Sequence, residues 1–120
     1  MLNVWTTQMS GWRKAKELDI ALIDITAKSG LQSFAPLFEN VMLYKRGLLN
    51  EDQYTFLYVE RMRESLRTDE QPWLTLLQNK KQVFACYCKS GTFCHRLIFA
   101  DLFTKYAASK QLIVLNHGEL

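Results

Sequence analysis

The sequence predicts a small α/β protein, with a mainly parallel four-stranded sheet and flanking helices in a Rossmann-like three-layer arrangement. Short apolar runs rich in β-branched and aromatic residues alternate along the chain with segments of helical periodicity. This order favours right-handed crossovers between parallel strands. The chain has 120 residues, of which 48% are hydrophobic. That material is enough for one core, so we expect a single domain over residues 1–120.

The first third of the chain predicts a strand, a short helix and a second strand. Residues 2–7 are rich in β-branched and aromatic side chains, which is typical of a strand. Ser10 is placed to cap a helix over residues 10–16. Residues 20–26 are almost entirely apolar, as in a strand covered on both faces, and Asp24 interrupts them near their end.

The middle of the chain predicts three helices. Ser33 is placed to cap the first, over residues 33–46, with Pro36 in its first turn. Residues 50–53 (Asn-Glu-Asp-Gln) have the pattern of a capping box, so a second helix should begin directly after them. A short third helix is expected over residues 69–78.

The last third predicts two further strands around a buried helix. Residues 81–88 form an apolar run, followed by a tight loop. Thr92 is placed to cap a largely apolar helix that reaches about residue 109. Residues 112–115 complete the sheet as a fourth strand.

Composition excludes several classes of protein. Lys plus Arg number 15 and Asp plus Glu number 12, for a net charge of +3, so direct nucleic-acid binding is not expected. Three cysteines are an odd count and do not indicate a disulfide scaffold. The start lacks a signal-peptide pattern and the chain lacks an apolar run of about 20 residues. We therefore expect a reduced cytoplasmic protein with no membrane contact.

Polar side chains follow each predicted strand. Ligands of parallel α/β sheets bind outside the carboxyl ends of the strands, and parallel strands bring those ends to one edge. The sequence therefore predicts a site at that edge. Its members would come from four clusters: Thr6, Thr7 and Gln8; Asp24 and Thr26; residues 88–96; and Asn116, His117 and Glu119.

The loop before the last helix is the densest of these clusters. A helix start offers unpaired amides, Gly91 lets a ligand approach the backbone, and Lys89 and Arg96 add positive charge. This pattern indicates an anion site. The predicted ligand-binding residues are Thr7, Cys88, Lys89, Ser90, Gly91, Thr92, Arg96 and Glu119. The alternative is a capped turn in which Arg96 forms a structural bridge with Asp24 or Glu119.

The same residues admit other chemistry. Cys86, Cys88, Cys94 and His95 have the composition of a Cys₃His zinc site. Adjacent residues on a helix point about 100° apart, so Cys94 and His95 would not easily reach one ion. We therefore assign neither metal ligands nor a cofactor.

Catalysis is a further possibility at this edge. A thiolate of Cys88 or Cys94 near a helix start and cations would have a lowered pKa. The candidate catalytic residues are Asp24 and His95 as acid or base and Cys94 as nucleophile. Asp24 has a second interpretation, which we favour slightly, as the ion-pair partner of Arg96.

Residues 86–96 (CYCKSGTFCHR) resemble the signature of domain-of-unknown-function family 488, especially its short bacteriophage-type members. The likeness covers nearly the whole chain. It extends to residues 23–26, 34–36, Lys45, Gly47, 52–54, 58–62 and the Gly118-Glu119 pair. It implies an α/β fold. Many members outside phages have Glu at the position of Cys88, which leaves an oxyanion site around His95 and Arg96 as the common feature.

These observations lead to one functional expectation and two alternatives. We expect a phage-encoded accessory protein of the host cytoplasm that binds a phosphorylated small molecule, such as a nucleotide, at residues 89–96. Whether it catalyses a reaction is left open. The alternatives are an interaction module that inhibits a host protein partner, and a zinc-stabilised domain.

Overall fold

The computed structural model describes residues 1–89 and 91–120, and within them four strands form one parallel sheet. The strands are β1 (Leu2–Gln8), β2 (Ala21–Asp24), β3 (Lys81–Cys86) and β4 (Val114–Glu119). Their order is β2-β3-β1-β4, and each neighbouring pair is parallel. The predicted α/β class and parallel sheet are confirmed.

Helices cover the two faces of the sheet unequally. They are α1 (Trp12–Glu17), α2 (Phe38–Lys45), α3 (Glu51–Thr68), α4 (Gln71–Leu76) and α5 (His95–Ser109). Successive strand residues point to opposite faces, so Val4 and Phe84 pack under the α2–α5 side whereas Trp5 and Val83 pack under α1. Within the described ranges, no helix combines the length and apolar character needed to cross a bilayer.

The larger core is aromatic and centres on α5. Phe99 is fully buried, and its ring centroid lies 4.8–6.3 Å from those of four neighbours. These neighbours come from a loop, α4, β3 and α5: Phe34, Trp73, Phe84 and Phe103. The cluster therefore joins the central strands to the outer helices and holds the start of α5 against the sheet edge.

The helix predicted over residues 33–46 is wrong in its first part, because α2 begins only at Phe38. Residues 33–36 instead lie in irregular backbone, and α3 binds their carbonyl oxygens. The Tyr58 hydroxyl donates to Phe34 O at 2.6 Å, and the Arg61 Nε donates to Ala35 O at 2.7 Å. These tertiary bonds hold the segment in its irregular conformation, and Pro36 disfavours helical backbone at the residue before it.

Two predicted helix caps are also wrong. Ser10 lies in a 3-10 turn, Met9–Gly11, and α1 starts after it. The turn packs tightly there, since a Cβ on Gly11 would lie 2.2 Å from the Thr7 Oγ1. Thr92 does not cap α5, whose N-cap is Cys94 with φ −157° and ψ 152°. The chain stays extended at Cys94 after Phe93 has packed against two tyrosines.

The observed limits of β2 and β4 differ from the predicted ones for local reasons. β2 stops at Asp24 because the Asp24 Oδ1 accepts a bond from the Thr26 backbone N–H at 2.9 Å, which forms a turn. β4 starts two residues late because Leu112 still donates to Ala107 O in the closing turn of α5. It then continues to Glu119, since an edge strand tolerates polar residues when β1 supplies the backbone partners.

Tyr58→Phe should destabilise the fold by about 1–3 kcal/mol, because it leaves the buried Phe34 carbonyl oxygen without its bond from the hydroxyl. Urea unfolding followed by circular dichroism measures the change. The matched control is Tyr87→Phe, since 68% of the Tyr87 side chain is exposed. Equal stabilities for the two variants would show that the bond contributes nothing.

Candidate functional site

A cleft of about 630 Å³ opens beside the carboxyl ends of β2 and β3. It lies between α2 and residues 87–89 and 92–94, where sheets of this kind bind ligands. Its described lining combines aromatic rings, lysines and thiols. The rings and lysines are Phe38, Tyr44, Tyr54, Tyr87, Phe93, Lys28, Lys45 and Lys89; Cys86, Cys88, Cys94 and His95 also line it.

Three thiols converge at this cleft from three parts of the fold. Cys86 is the last residue of β3, Cys88 lies in the following loop, and Cys94 is the N-cap of α5. Their Sγ atoms all lie within 4.8 Å of one another. The Sγ atoms of Cys86 and Cys94 are 2.7 Å apart. Cys86 and Cys94 are buried and Cys88 is half-buried.

The three thiols of the cluster differ in pKa. Hydrogen bonds from the other two thiols and from Arg96 lower the pKa of Cys86 to about 2. The hydrogen bond to Cys86, together with burial, raises the pKa of Cys88, and hydrogen bonds to Cys86 and Cys88, together with burial, raise that of Cys94. Cys86 is therefore the thiol of this cluster that loses its proton most readily.

His95 is buried and neutral at the start of α5. Burial lowers its pKa below the ordinary value. The Nε2 lies 2.7 Å from Ile25 O, and a carbonyl can only accept, so Nε2 carries the proton. The Nδ1 lone pair is then free and lies 3.6 Å from the Cys94 Sγ. The Cys94 Sγ is thus within hydrogen-bond reach of both the His95 Nδ1 and the Cys86 Sγ.

Arg96 is fully buried, and four hydrogen bonds engage all three of its nitrogens. The Nη2 binds the Glu119 Oε1 at 2.6 Å, and the Nε binds its Oε2 at 3.3 Å. The Nη1 donates to Cys88 O at 2.8 Å and to the Cys86 Sγ at 3.0 Å. Although burial acts to lower the pKa of Arg96, the bonds to Glu119 and Cys86 raise it. The guanidinium therefore stays charged, and it holds the Cys86 sulfur and the Cys88 backbone in place through hydrogen bonds.

The favoured pairing of Asp24 with Arg96 is wrong. The Asp24 Oδ1 also accepts from the Thr26 hydroxyl at 2.8 Å, and its Oδ2 accepts from the Ser29 hydroxyl at 3.3 Å. Its own turn thus satisfies this carboxylate. The ion pair with Glu119, which the sequence left as the other choice, is the one that forms.

The structure brings together only part of the predicted site. Cys88, Lys89, Thr92, Cys94 and His95 line the cleft, whereas Thr7, Asp24, Gly91, Arg96 and Glu119 are not among its described lining residues. The Thr7 hydroxyl donates to Gln8 O at 2.9 Å, and the Thr6 hydroxyl bonds to Glu119. Thr92 closes the loop on Lys89 O. The predicted ligand residue Ser90 lies outside the described residues.

Two lysines at the cleft were not predicted as site residues from the sequence. They are Lys28 and Lys45, which line it together with Tyr44 and Tyr54. Lys45 follows Tyr44 directly, at the end of α2, and a cation beside an aromatic ring was the available signal. It was weak, because a lysine at a helix end commonly serves the helix dipole.

No family model, curated protein or solved structure matches the chain. The resemblance to domain-of-unknown-function family 488, with the phage origin that it implies, therefore stays a prediction.

Proposed function

We propose that the protein binds a small phosphorylated ligand with a flat ring, such as a nucleoside monophosphate, in the cleft between α2 and residues 87–89 and 92–94. One observation carries the proposal. Three described lining residues are lysines, and none of the described lining residues is a carboxylate. A concave surface with a net positive charge favours an anionic occupant. The cleft volume of about 630 Å³ also suits a ligand of this size.

The aromatic wall supports the ring of such a ligand. The rings of Tyr44, Tyr54 and Phe93 pack against one another with centroids 5.3–5.8 Å apart. Burial raises the pKa values of both tyrosines, so their hydroxyls stay neutral. Phe38 is 43% exposed, and the Lys28 Nζ lies 4.1 Å from its ring centroid. Stacking on such rings favours a base or another flat group.

The phosphate contact that we propose differs from the one the sequence predicts. All three nitrogens of Arg96 are already bonded to Glu119, Cys88 O or the Cys86 sulfur, so we assign the phosphate contact to lysines at the cleft. Lys45 ends α2 and Lys89 follows β3, and both are exposed and line the cleft. Cations from two different segments can bind one phosphate group together.

Calorimetry with the four ribonucleoside monophosphates, their nucleosides and inorganic phosphate tests the proposal. We expect a monophosphate to bind more tightly than its nucleoside. Lys45→Ala combined with Lys89→Ala should weaken binding by about tenfold or more, because a hydrogen bond to a charged group contributes about 1.5–3 kcal/mol. Added salt should weaken binding as well.

The matched control is Lys14→Ala combined with Lys105→Ala. It removes the same charge from exposed positions on α1 and α5 outside the described cleft lining, and it should leave the affinity unchanged. If both double variants bound the monophosphate equally weakly, the loss of affinity would be due to net charge alone, and this would contradict the proposal. So would binding of none of these compounds.

A further inference from the structure

The three thiols at the cleft indicate a metal site, and the argument for it does not depend on the proposed ligand. We propose that Cys86, Cys88 and Cys94 form a binding site for Zn²⁺, with three sulfur ligands and a fourth coordination position open to the cleft. Thiolates are soft ligands and select ions such as Zn²⁺ over Mg²⁺ or Ca²⁺. On binding, the thiols release their remaining protons to water and their sulfurs coordinate the ion.

Local backbone geometry explains how three cysteines meet. Cys86 and Cys88 are two residues apart at the end of a strand, where alternate side chains point to the same side. Tyr87 between them is 68% exposed and does not separate the two sulfurs. Cys94 is extended and precedes the first residue of α5. The helical geometry that argued against zinc in the sequence therefore does not apply to Cys94.

The distances between the sulfurs suit a tetrahedral ion. Zinc–sulfur bonds of about 2.3 Å at tetrahedral angles place sulfurs about 3.8 Å apart. The observed separations lie within 4.8 Å, and the shortest, between Cys86 and Cys94, is 2.7 Å. Shifts of about 1 Å would equalise them, and Cys88 lies in a loop that can supply part of that movement.

The surroundings compensate the charge of the filled site. Three thiolates around Zn²⁺ leave one negative charge in excess. The Arg96 Nη1 lies 3.0 Å from the Cys86 Sγ and donates to it, which is the usual role of a group behind a metal ligand. Glu119 fixes Arg96 in that position at 2.6 Å.

Among the residues that the structure describes, three sulfurs are the metal-ligand atoms that converge here. The His95 Nε2 is bound to Ile25 O, and its Nδ1 faces Cys94 and is not a member of the converging group. The three sulfurs line the cleft, so water or a ligand atom can take the fourth position. Sites with an open position are the ones in which zinc acts on a bound molecule.

Titration of the fully reduced protein with Co²⁺ alone, under anaerobic conditions, tests the site. We expect a sulfur-to-cobalt charge-transfer band and tetrahedral d–d bands that saturate at one ion per chain and disappear when Zn²⁺ is added. Cys88→Ser should weaken Zn²⁺ binding by more than the roughly 10–100-fold typical of changes behind the metal ligands. The matched control is Tyr87→Ser, which alters the residue between two of the ligands and should keep the bands.

X-ray absorption of the Zn²⁺-loaded wild-type protein provides a second measurement that needs no variant. It should show three sulfurs at about 2.3 Å. Absence of the charge-transfer band while three free thiols are counted would overturn the site, as would bands that Cys88→Ser leaves unchanged. Loss of metal binding leaves the nucleotide titration intact, so the two proposals can fail separately.

Discussion

Glu119→Ala should lower the free energy of unfolding by about 3 kcal/mol, because it leaves the buried guanidinium of Arg96 without its carboxylate. Arg96 is 0% exposed, and Glu119 holds two of its nitrogens. Breaking a buried ion pair by removing one partner costs about 3–5 kcal/mol. The lower end applies, since 33% of the Glu119 side chain is exposed and water can enter the space it leaves. Guanidinium unfolding at neutral pH measures the loss.

The control for this change is Glu60→Ala. It breaks the exposed ion pair with Arg63, which lies on the surface of α3, and should cost less than about 1 kcal/mol. A Glu119→Ala loss no larger than that of the control would show that the Arg96–Glu119 pair behaves like a surface pair. It would also show that Glu119 does not fix the guanidinium that donates to the Cys86 sulfur.

The Arg96–Glu119 pair should also make the free energy of unfolding depend on pH in the acidic range. Burial acts to raise the pKa of Glu119, but the bonds from Arg96 and Thr6 outweigh it and hold the pKa below its ordinary value. The pair's contribution is therefore complete above the unfolded value of about 4.3 and is lost as the pH falls through the folded pKa. The stability difference between wild type and Glu119→Ala should shrink over that acidic window.

Phe99→Ala is the second large effect, with an expected loss of about 4 kcal/mol. The ring is fully buried and contacts four other aromatic rings from α4, α5, β3 and the 33–36 segment. Removing it takes away its burial and leaves a cavity that rigid neighbours cannot fill, and such changes cost about 3–5 kcal/mol. Thermal and denaturant unfolding both measure the change.

Phe56→Ala is the matched control, because it removes the same atoms from a side chain that is 64% exposed. It should change stability by less than about 0.5 kcal/mol. A Phe99→Ala loss below about 1.5 kcal/mol would mean that the aromatic cluster collapses around the gap, and that α5 is not held to the sheet by it.

The sheet was predictable from the sequence because its strands are apolar runs with local turn signals. The capping box of residues 50–53 was equally local, and both of its bonds form. Residues 33–36 were not predictable, since their conformation depends on Tyr58, Arg61 and Ser65 of α3, which bind three of their carbonyls. Contacts of this kind join segments that are far apart in the sequence, so no local pattern reveals them.

The site was predictable only where it is local in sequence. Three cysteines within residues 86–94 indicated one cluster, and their sulfurs do converge. The partner of Arg96 could not be read from the sequence, because Asp24 and Glu119 both end strands at the same sheet edge. Asp24 is satisfied by its own turn, which a sequence pattern does not reveal. Lys28 and Lys45 join the site through the packing of α2.

The strand order has a consequence for how the chain acquires its structure. β1 is made first but lies in the interior of the sheet, between β3 and β4. Its Thr6 meets Glu119 across a separation of 113 residues. A ribosome must therefore release residues 1–86 before the first strand can have one complete neighbour, and residues 1–119 before it can have both. Pairings between such distant segments slow folding, and until they form the apolar β1 is a target for chaperones.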